Sequence, residues 1–219
     1  MRIATLFAAA ACSSLVPVVF AQEDVTGSFI GVYSDFIWRG ISLTDNEMGV
    51  QGGVHFRDKS GVYLGALLAN VDAAVAPVPG DANARLDLYT GASGYTSMGL
   101  GLDAGVRLYQ YDDTDLAFPE LYLGFMLAEW GLKFSYDWDN DNLYSELNAA
   151  YDLGSQVTFD LHGGLWVGDT VDDYSDYAAG LSTESGGWRF GVRATTTDIK
   201  PRNERTDTSG VVWIRRDFR

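Results

Sequence analysis

A chain of 219 residues with 30 acidic and 15 basic side chains carries a net charge of −15, which argues against nucleic acid or anionic surfaces as charge-driven partners. Its single cysteine excludes a disulfide framework, and beyond the N-terminal segment no run of about 18 apolar residues could span a membrane as a helix. The rest is skewed towards 25 Gly, 12 Tyr, 11 Phe and 6 Trp with only 5 Pro, a balance that suits pleated strands.

The chain opens with Met1-Arg2, an apolar run and Val19-Phe20-Ala21 before Gln22, which reads as a secretory signal peptide over 1–21 with cleavage after Ala21. Cleavage removes the only cysteine, Cys12. A lipoprotein reading with Cys12 acylated is disfavoured, because Ala9 stands where a larger aliphatic residue is expected. The remaining 22–219 form one domain.

From there the hydrophobic period is two almost throughout. Val50, Gly52, Val54 and Phe56 alternate with Gln51, Gly53, His55 and Arg57. Leu102, Ala104 and Val106 alternate with Asp103, Gly105 and Arg107, and Leu121, Leu123 and Phe125 with Glu120, Tyr122 and Gly124. Phe159, Leu161 and Leu165 alternate with Asp160, His162 and Trp166, and Trp188, Phe190 and Val192 with Arg189, Gly191 and Arg193. A helix would group apolar residues three and four apart, which these segments do not, so the fold class is all-β. Twelve strands are predicted, over 25–37, 49–57, 62–71, 84–92, 99–110, 119–128, 131–138, 143–152, 156–167, 174–183, 187–196 and 210–218.

The links between these strands differ in kind at the two ends. One set is tight, as at Asp58-Lys59-Ser60, Glu129-Trp130 and Ser185-Gly186. The other set is mostly longer and rich in Asp, as at Thr44-Asp45-Asn46-Glu47, Asp112-Asp113-Thr114-Asp115 and Gly168 to Asp173. A soluble β-sandwich has no reason to keep one end tight and the other acidic. A transmembrane antiparallel up-and-down β-barrel has one, with short periplasmic turns, longer external loops and an even strand number. Every backbone group in lipid must be paired, so such a sheet must close. Trp38, Tyr63, Tyr109, Tyr111, Trp130, Trp138, Trp188 and Trp213 fall near strand ends, where an interfacial girdle is expected.

In that barrel the polar faces line the lumen. The pore-lining candidates are Asp35, Arg39, His55, Arg85, Asp87, Asp103, Arg107, Glu120, Lys133, Glu146, Asp160, His162, Arg189 and Arg193. Basic and acidic members are balanced, so the interior is either wet or cross-linked by ion pairs. Segregation of the two signs onto different strands would set a transverse field, whereas pairing of Arg107 with Glu120 across neighbouring strands would plug the barrel. An external acidic rim is expected from Asp112, Asp113, Asp115, Asp139, Asp141, Asp169, Asp172 and Asp173. These carboxylates would attract cations or zwitterions and meet lipopolysaccharide through divalent ions. They lack the glycine turn and terminal glutamate of an EF-hand loop. With only His55 and His162, both inward, no zinc, catalytic or cofactor site is expected.

One ordered set of segments resembles a known family. These are Asp35-Phe36-Ile37-Trp38-Arg39-Gly40-Ile41-Ser42, then Gln51-Gly52-Gly53, Ser60-Gly61-Val62-Tyr63-Leu64-Gly65 and Ala69-Asn70-Val71-Asp72. Leu86-Asp87-Leu88-Tyr89-Thr90-Gly91, Pro119-Glu120-Leu121-Tyr122-Leu123-Gly124 and Leu161-His162-Gly163-Gly164 continue it. In order and spacing they are similar to the TorF family of porins, proteobacterial outer-membrane proteins of largely uncharacterised function. The resemblance implies an outer-membrane, channel-like barrel and names no substrate. Departures are Leu67 and Ala69, where an aromatic and a serine are expected, Arg216 on an apolar face, and Arg219 after the terminal aromatic that barrel-assembly machinery reads. The function expected is passive diffusion of small solutes or ions across the bacterial outer membrane, with outer-membrane lipid as the surroundings. A structural or adhesive barrel acting through its loops is the alternative, and an outer-membrane hydrolase the second. In the opening motif Phe36 and Trp38 are expected to face lipid, and Asp35 and Arg39 the mouth.

Overall fold

The computed structural model describes residues 25–72, 82–112, 117–169 and 172–218. The expected signal peptide, Asp113, Asp115 and Arg219 lie outside them, as does the middle of the loop between Asp72 and Asn83.

Twelve long strands form one closed barrel: β1 (Val25–Tyr33), β4 (Gly49–Arg57), β5 (Val62–Asn70), β6 (Ala84–Tyr95), β7 (Gly101–Tyr111), β8 (Ala117–Leu127), β9 (Trp130–Asp137), β10 (Asn142–Gly154), β11 (Val157–Val167), β12 (Tyr174–Ser185), β13 (Trp188–Thr197) and β14 (Ser209–Phe218). Each pairs antiparallel with its sequence neighbours, and β1 closes the ring by pairing with β14 through Phe29↔Asp217 and with β4 through Phe29↔Gly53. Two further short strands, β2 (Ile37–Trp38) and β3 (Ile41–Ser42), form a separate hairpin. The predicted strands agree in number and nearly in bounds. The exception is the first, which ends at Tyr33 rather than at residue 37.

The faces are inverted relative to a water-soluble protein. Outward positions are large, apolar and open: Leu64 is 58%, Leu123 45% and Val212 62% exposed. Inward positions are charged and buried, among them Arg85, Asp87, Asp103, Glu120, Glu146 and Arg193. An exposed apolar sheet around a charged interior is stable only where the surrounding medium is itself apolar. Strands of 8 to 13 residues match the roughly 9–11 needed to cross a bilayer when tilted.

The girdle expectation holds only in part. Trp130, Trp138 and Trp188 are exposed on the outer surface near strand ends. Trp38, Tyr63, Tyr109, Tyr111 and Trp213 are instead buried inside. Nearness to a strand end was a poor guide to facing, because strand parity decides it: Tyr63 sits between outward Val62 and Leu64. Its ring lies over Gly91 on β6, where a Cβ would stand 2.5 Å from the Tyr63 hydroxyl and 2.5 Å from the Ala104 carbonyl. Gly91→Ala is therefore expected to cost about 1–3 kcal/mol through overpacking against backbone. Gly94→Ala, with nothing within 4 Å, should stay within about 0.5 kcal/mol. Urea unfolding of the two variants in lipid vesicles checks the difference.

Arg216 does face outward, and its charge is managed locally. The guanidinium lies 5.4 Å from the Trp188 ring centre and 5.9 Å from that of Phe218, and donates to the Gly186 carbonyl in the β12–β13 turn. An arginine whose stem rests on aromatics at a strand end can sit at an interface that a mid-membrane charge could not.

Candidate functional site

The lumen is crossed by the segment that follows β1. Residues 35–44 are all buried, although they belong to a loop between two barrel strands. The chain turns inward after Ser34, runs out along β2, reverses at Arg39-Gly40 and returns along β3. Ile37 pairs with Ser42 and Trp38 with Ile41, while Leu43 donates to the Phe36 carbonyl at 2.7 Å. Both reversal residues have positive φ, 51° at Arg39 and 78° at Gly40, which is the two-residue turn that fits the twist of a hairpin. Glycine takes this at no steric cost, whereas at Arg39 it stores roughly 1–3 kcal/mol, which the surrounding contacts must offset.

Those contacts are dense. The Arg39 guanidinium meets Glu120 on β8 at 2.7 and 2.9 Å. It also lies 4.5, 4.4 and 5.2 Å from the ring centres of Trp38, Tyr144 and Trp166. Burial alone would lower the pKa of this guanidinium, but Glu120 outweighs it and leaves the group more firmly charged than an ordinary arginine. The Tyr174 hydroxyl donates to the Arg39 carbonyl at 3.1 Å, and Gly40 lies so close to Asp176 that a Cβ there would stand 2.6 Å from the Asp176 Cβ. A hairpin rooted between β1 and β4 thus reaches β8, β10, β11 and β12 on the opposite wall. It bridges the barrel.

The root is fixed as well. Asp35 Oδ1 accepts the hydroxyls of Ser42 at 2.6 Å and Thr44 at 3.0 Å, and Phe36 N–H donates to Thr44 Oγ1 at 3.0 Å. Burial raises the Asp35 carboxyl above its usual range against the pull of those hydroxyls. From the last external loop, Arg205 bonds Asp45 at 2.9 Å and Asp72 at 3.4 Å, closing over the hairpin. Phe36, Trp38, Ile41 and Leu43 pack with Leu67, Tyr109, Tyr144, Trp166 and Tyr174 into an apolar cluster inside the barrel.

The motif is corrected accordingly. Phe36 and Trp38 do not face lipid; they fill the lumen, because the strand has ended four residues earlier than the alternation suggested. Asp35 and Arg39 do lie inside. Gly40 makes the turn of the inner hairpin.

The remaining lumen candidates are placed by their strands, and their charges are matched locally. Arg85 Nε is 2.8 Å from Asp87, Lys133 Nζ is 3.2 Å from Glu146, and Arg193 pairs with Asp160. Arg189 reaches Glu184 at 3.3 Å and Asp217 at 3.4 Å. His162 Nε2 lies 2.9 Å from Asp176 and Nδ1 2.7 Å from Asn148. Asp103 accepts the Tyr63 hydroxyl at 2.5 Å, and Arg107 lies over the rings of Tyr89 and Tyr109. Arg107 and Glu120 are register partners, yet Glu120 is held by the hairpin's Arg39. Most of these charges thus stand beside an opposite one rather than being segregated by sign. His55 Nδ1 lies 3.3 Å from the Tyr89 hydroxyl.

At the opposite, outer surface Asp112, Asp139, Asp141, Asp169, Asp172 and Asp173 are exposed at the loop end. Several are tied to their own loops: Asp112 accepts the amides of Asn83 and Ala84, Asp141 the Tyr136 hydroxyl, and Asp173 the Gly168 amide. Among the described residues no group of three or more His, Cys, Asp or Glu side chains could hold a metal ion. Sequence reasoning passed over Tyr144, Trp166 and Tyr174 as partners of Arg39. The inward parity of Tyr144 and Trp166 was legible, that of Tyr174 was not because both alternations of its strand are apolar, and nothing signalled that a loop would reach them.

A family model described as a bacterial protein of unknown function, Gcw_chp, matches residues 21–214. No curated protein matches the sequence. Among solved structures the barrel is similar to the KdgM porin, with a TM-score of 0.61 at 11% identity over 89% of this chain and 100% of that one. It is also similar to the NanC porin, with a TM-score of 0.62 at 10% identity over 89% and 100%. The Acinetobacter baumannii outer membrane protein Omp33 follows, with a TM-score of 0.53 at 8% identity over 91% and 100%. At such identities the likeness is one of fold.

Proposed function

The chain belongs to the Gcw_chp family of bacterial proteins of unknown function, and we propose that it is an outer-membrane channel for passive diffusion of small solutes or ions, narrowed by its own inner hairpin. The observation that carries this reading is the closed barrel with an apolar exterior and a charged interior, the fold also adopted by the KdgM and NanC porins. The resemblance to the TorF porins agrees with it. On this reading Asp112, Asp139, Asp141, Asp169, Asp172 and Asp173 form an acidic outer rim that draws cations or zwitterions to the mouth at low salt. The rim also meets lipopolysaccharide, and the terminal strand is handled by the barrel-assembly machinery. On the same reading Arg39 and Glu120, where the hairpin meets the far wall, set the size of solute admitted. One KdgM structure is described as a complex with disordered oligogalacturonate. A short saccharide is therefore a reasonable first solute to test beside simple ions.

Swelling of liposomes that carry the refolded barrel tests the proposal. Small sugars and amino acids should enter, at rates that fall steeply with solute size. Swelling no faster than in protein-free liposomes, with the barrel shown to be folded, would overturn it and favour a barrel that acts through its loops.

A further inference from the structure

We infer that the periplasmic half of the lumen holds a binding site for a small oxyanion, a carboxylate or phosphate, built from Arg57, His55 and Ser93. Arg57 is 4% exposed at the inner end of β4. Its Nη2 donates to the Ser93 carbonyl at 3.0 Å, while Nε and Nη1 have no hydrogen-bond partner. In the same neighbourhood the Nε2 of His55 and the Oγ of Ser93 are also buried without a partner. His55 lies two residues from Arg57 on the same inward face, with its ring 5.7 Å from that of Tyr63 and 6.0 Å from that of Tyr89.

The contrast with most other lumen cations makes the case. Arg39, Arg85, Lys133, Arg189, Arg193 and Arg215 each have a carboxylate within ion-pair distance. Among the described residues Arg57 has none at that distance, although the Asp103 carboxylate feels its charge from farther off. The Asp103 carboxylate on the same wall is engaged by the Tyr63 hydroxyl. A buried guanidinium with no carboxylate at ion-pair distance is costly, and the charge-assisted bonds that relieve it come from an anion with two or more oxygens. A guanidinium edge, an imidazole nitrogen and a hydroxyl are suitable donors for such a group. The Tyr63 and Tyr89 rings crowd the His55 imidazole, so the occupant must be small. A guanidinium on a long flexible stem can turn to meet it without movement of the strand. The site deepens the channel reading by giving the carboxylate of a zwitterionic solute a resting place below the hairpin, but it stands on wall geometry and does not require the barrel to conduct.

Binding to the folded barrel in neutral detergent is the test, by calorimetric titration of inorganic phosphate and of acetate at constant ionic strength. The wild type should bind at least one of them, and Arg57→Gln should weaken that binding by roughly tenfold or more. Arg189→Gln, whose carboxylate neighbours lie elsewhere, should leave it unchanged. Should Arg57→Gln fail to fold, Ser93→Ala and His55→Phe serve in its place, each with a smaller loss. No anion binding by the folded wild type, or equal binding by wild type and these variants, would overturn the assignment and leave the donors to water. Because the readout is equilibrium binding, its failure is separate from any failure of the channel to conduct.

Discussion

Arg39→Ala is expected to free the inner hairpin from the far wall while leaving the barrel intact. The substitution leaves buried Glu120 with the Tyr109 hydroxyl but without its ion pair, and removes the group that Trp38, Tyr144 and Trp166 surround. Breaking one side of a buried ion pair costs about 3–5 kcal/mol. The barrel ladders do not depend on this pair, so the relief open to the molecule is for the hairpin to leave and let water reach Glu120. Protease added from the loop side should then cut at Phe36 or Trp38, which the wild type protects. Heat-modifiable gel mobility, the mark of a closed barrel, should persist. Glu120→Gln keeps one acceptor for Arg39 and should give a weaker version of the same result. Continued protection in a folded Arg39→Ala protein would mean that the apolar cluster alone holds the hairpin.

Leu123→Arg is expected to cost about 2–4 kcal/mol when the protein folds into a bilayer, the penalty for a cation near the midplane of a lipid-facing strand. Leu123 lies near the middle of β8, paired with Ala104 and Phe134, and is 45% exposed. In water an exposed leucine could be exchanged for arginine almost without effect. The substitution therefore separates a membrane barrel from a secreted soluble one. Unfolding by denaturant in lipid vesicles measures it, with Leu123→Ala as the reference for lost apolar area.

Most of the barrel was readable because the pleat imposes a period of two, and one alternating face must be apolar when the other is charged. Leu121, Leu123 and Phe125 against Glu120, Tyr122 and Gly124 leave little choice of state or facing. The opening motif was not readable in the same way. Phe36-Ile37-Trp38 suits a strand on either face, so β1 was extended through a region where the chain has left the wall. What distinguishes it is a set of long-range bonds that no local pattern reveals, such as Arg39 to Glu120, 81 positions away, and Tyr174 to the Arg39 carbonyl, 135 positions away. The local clue was Arg39-Gly40, a reversal needing positive φ, set between apolar pairs. The inward aromatics misled for a related reason. In a bilayer-spanning sheet a tyrosine near a strand end suits the interface, but Tyr63 and Trp213 have glycines beside them on neighbouring strands, and a ring that covers a glycine belongs on that face.

Single-channel recording in planar bilayers, comparing the wild type with a variant whose residues 36–43 are replaced by a short Gly-Ser link, tests the central claim most directly. Discrete openings are expected from both, with larger and less selective steps once the hairpin is gone. Silence from both proteins, each shown to be inserted and folded, would contradict it.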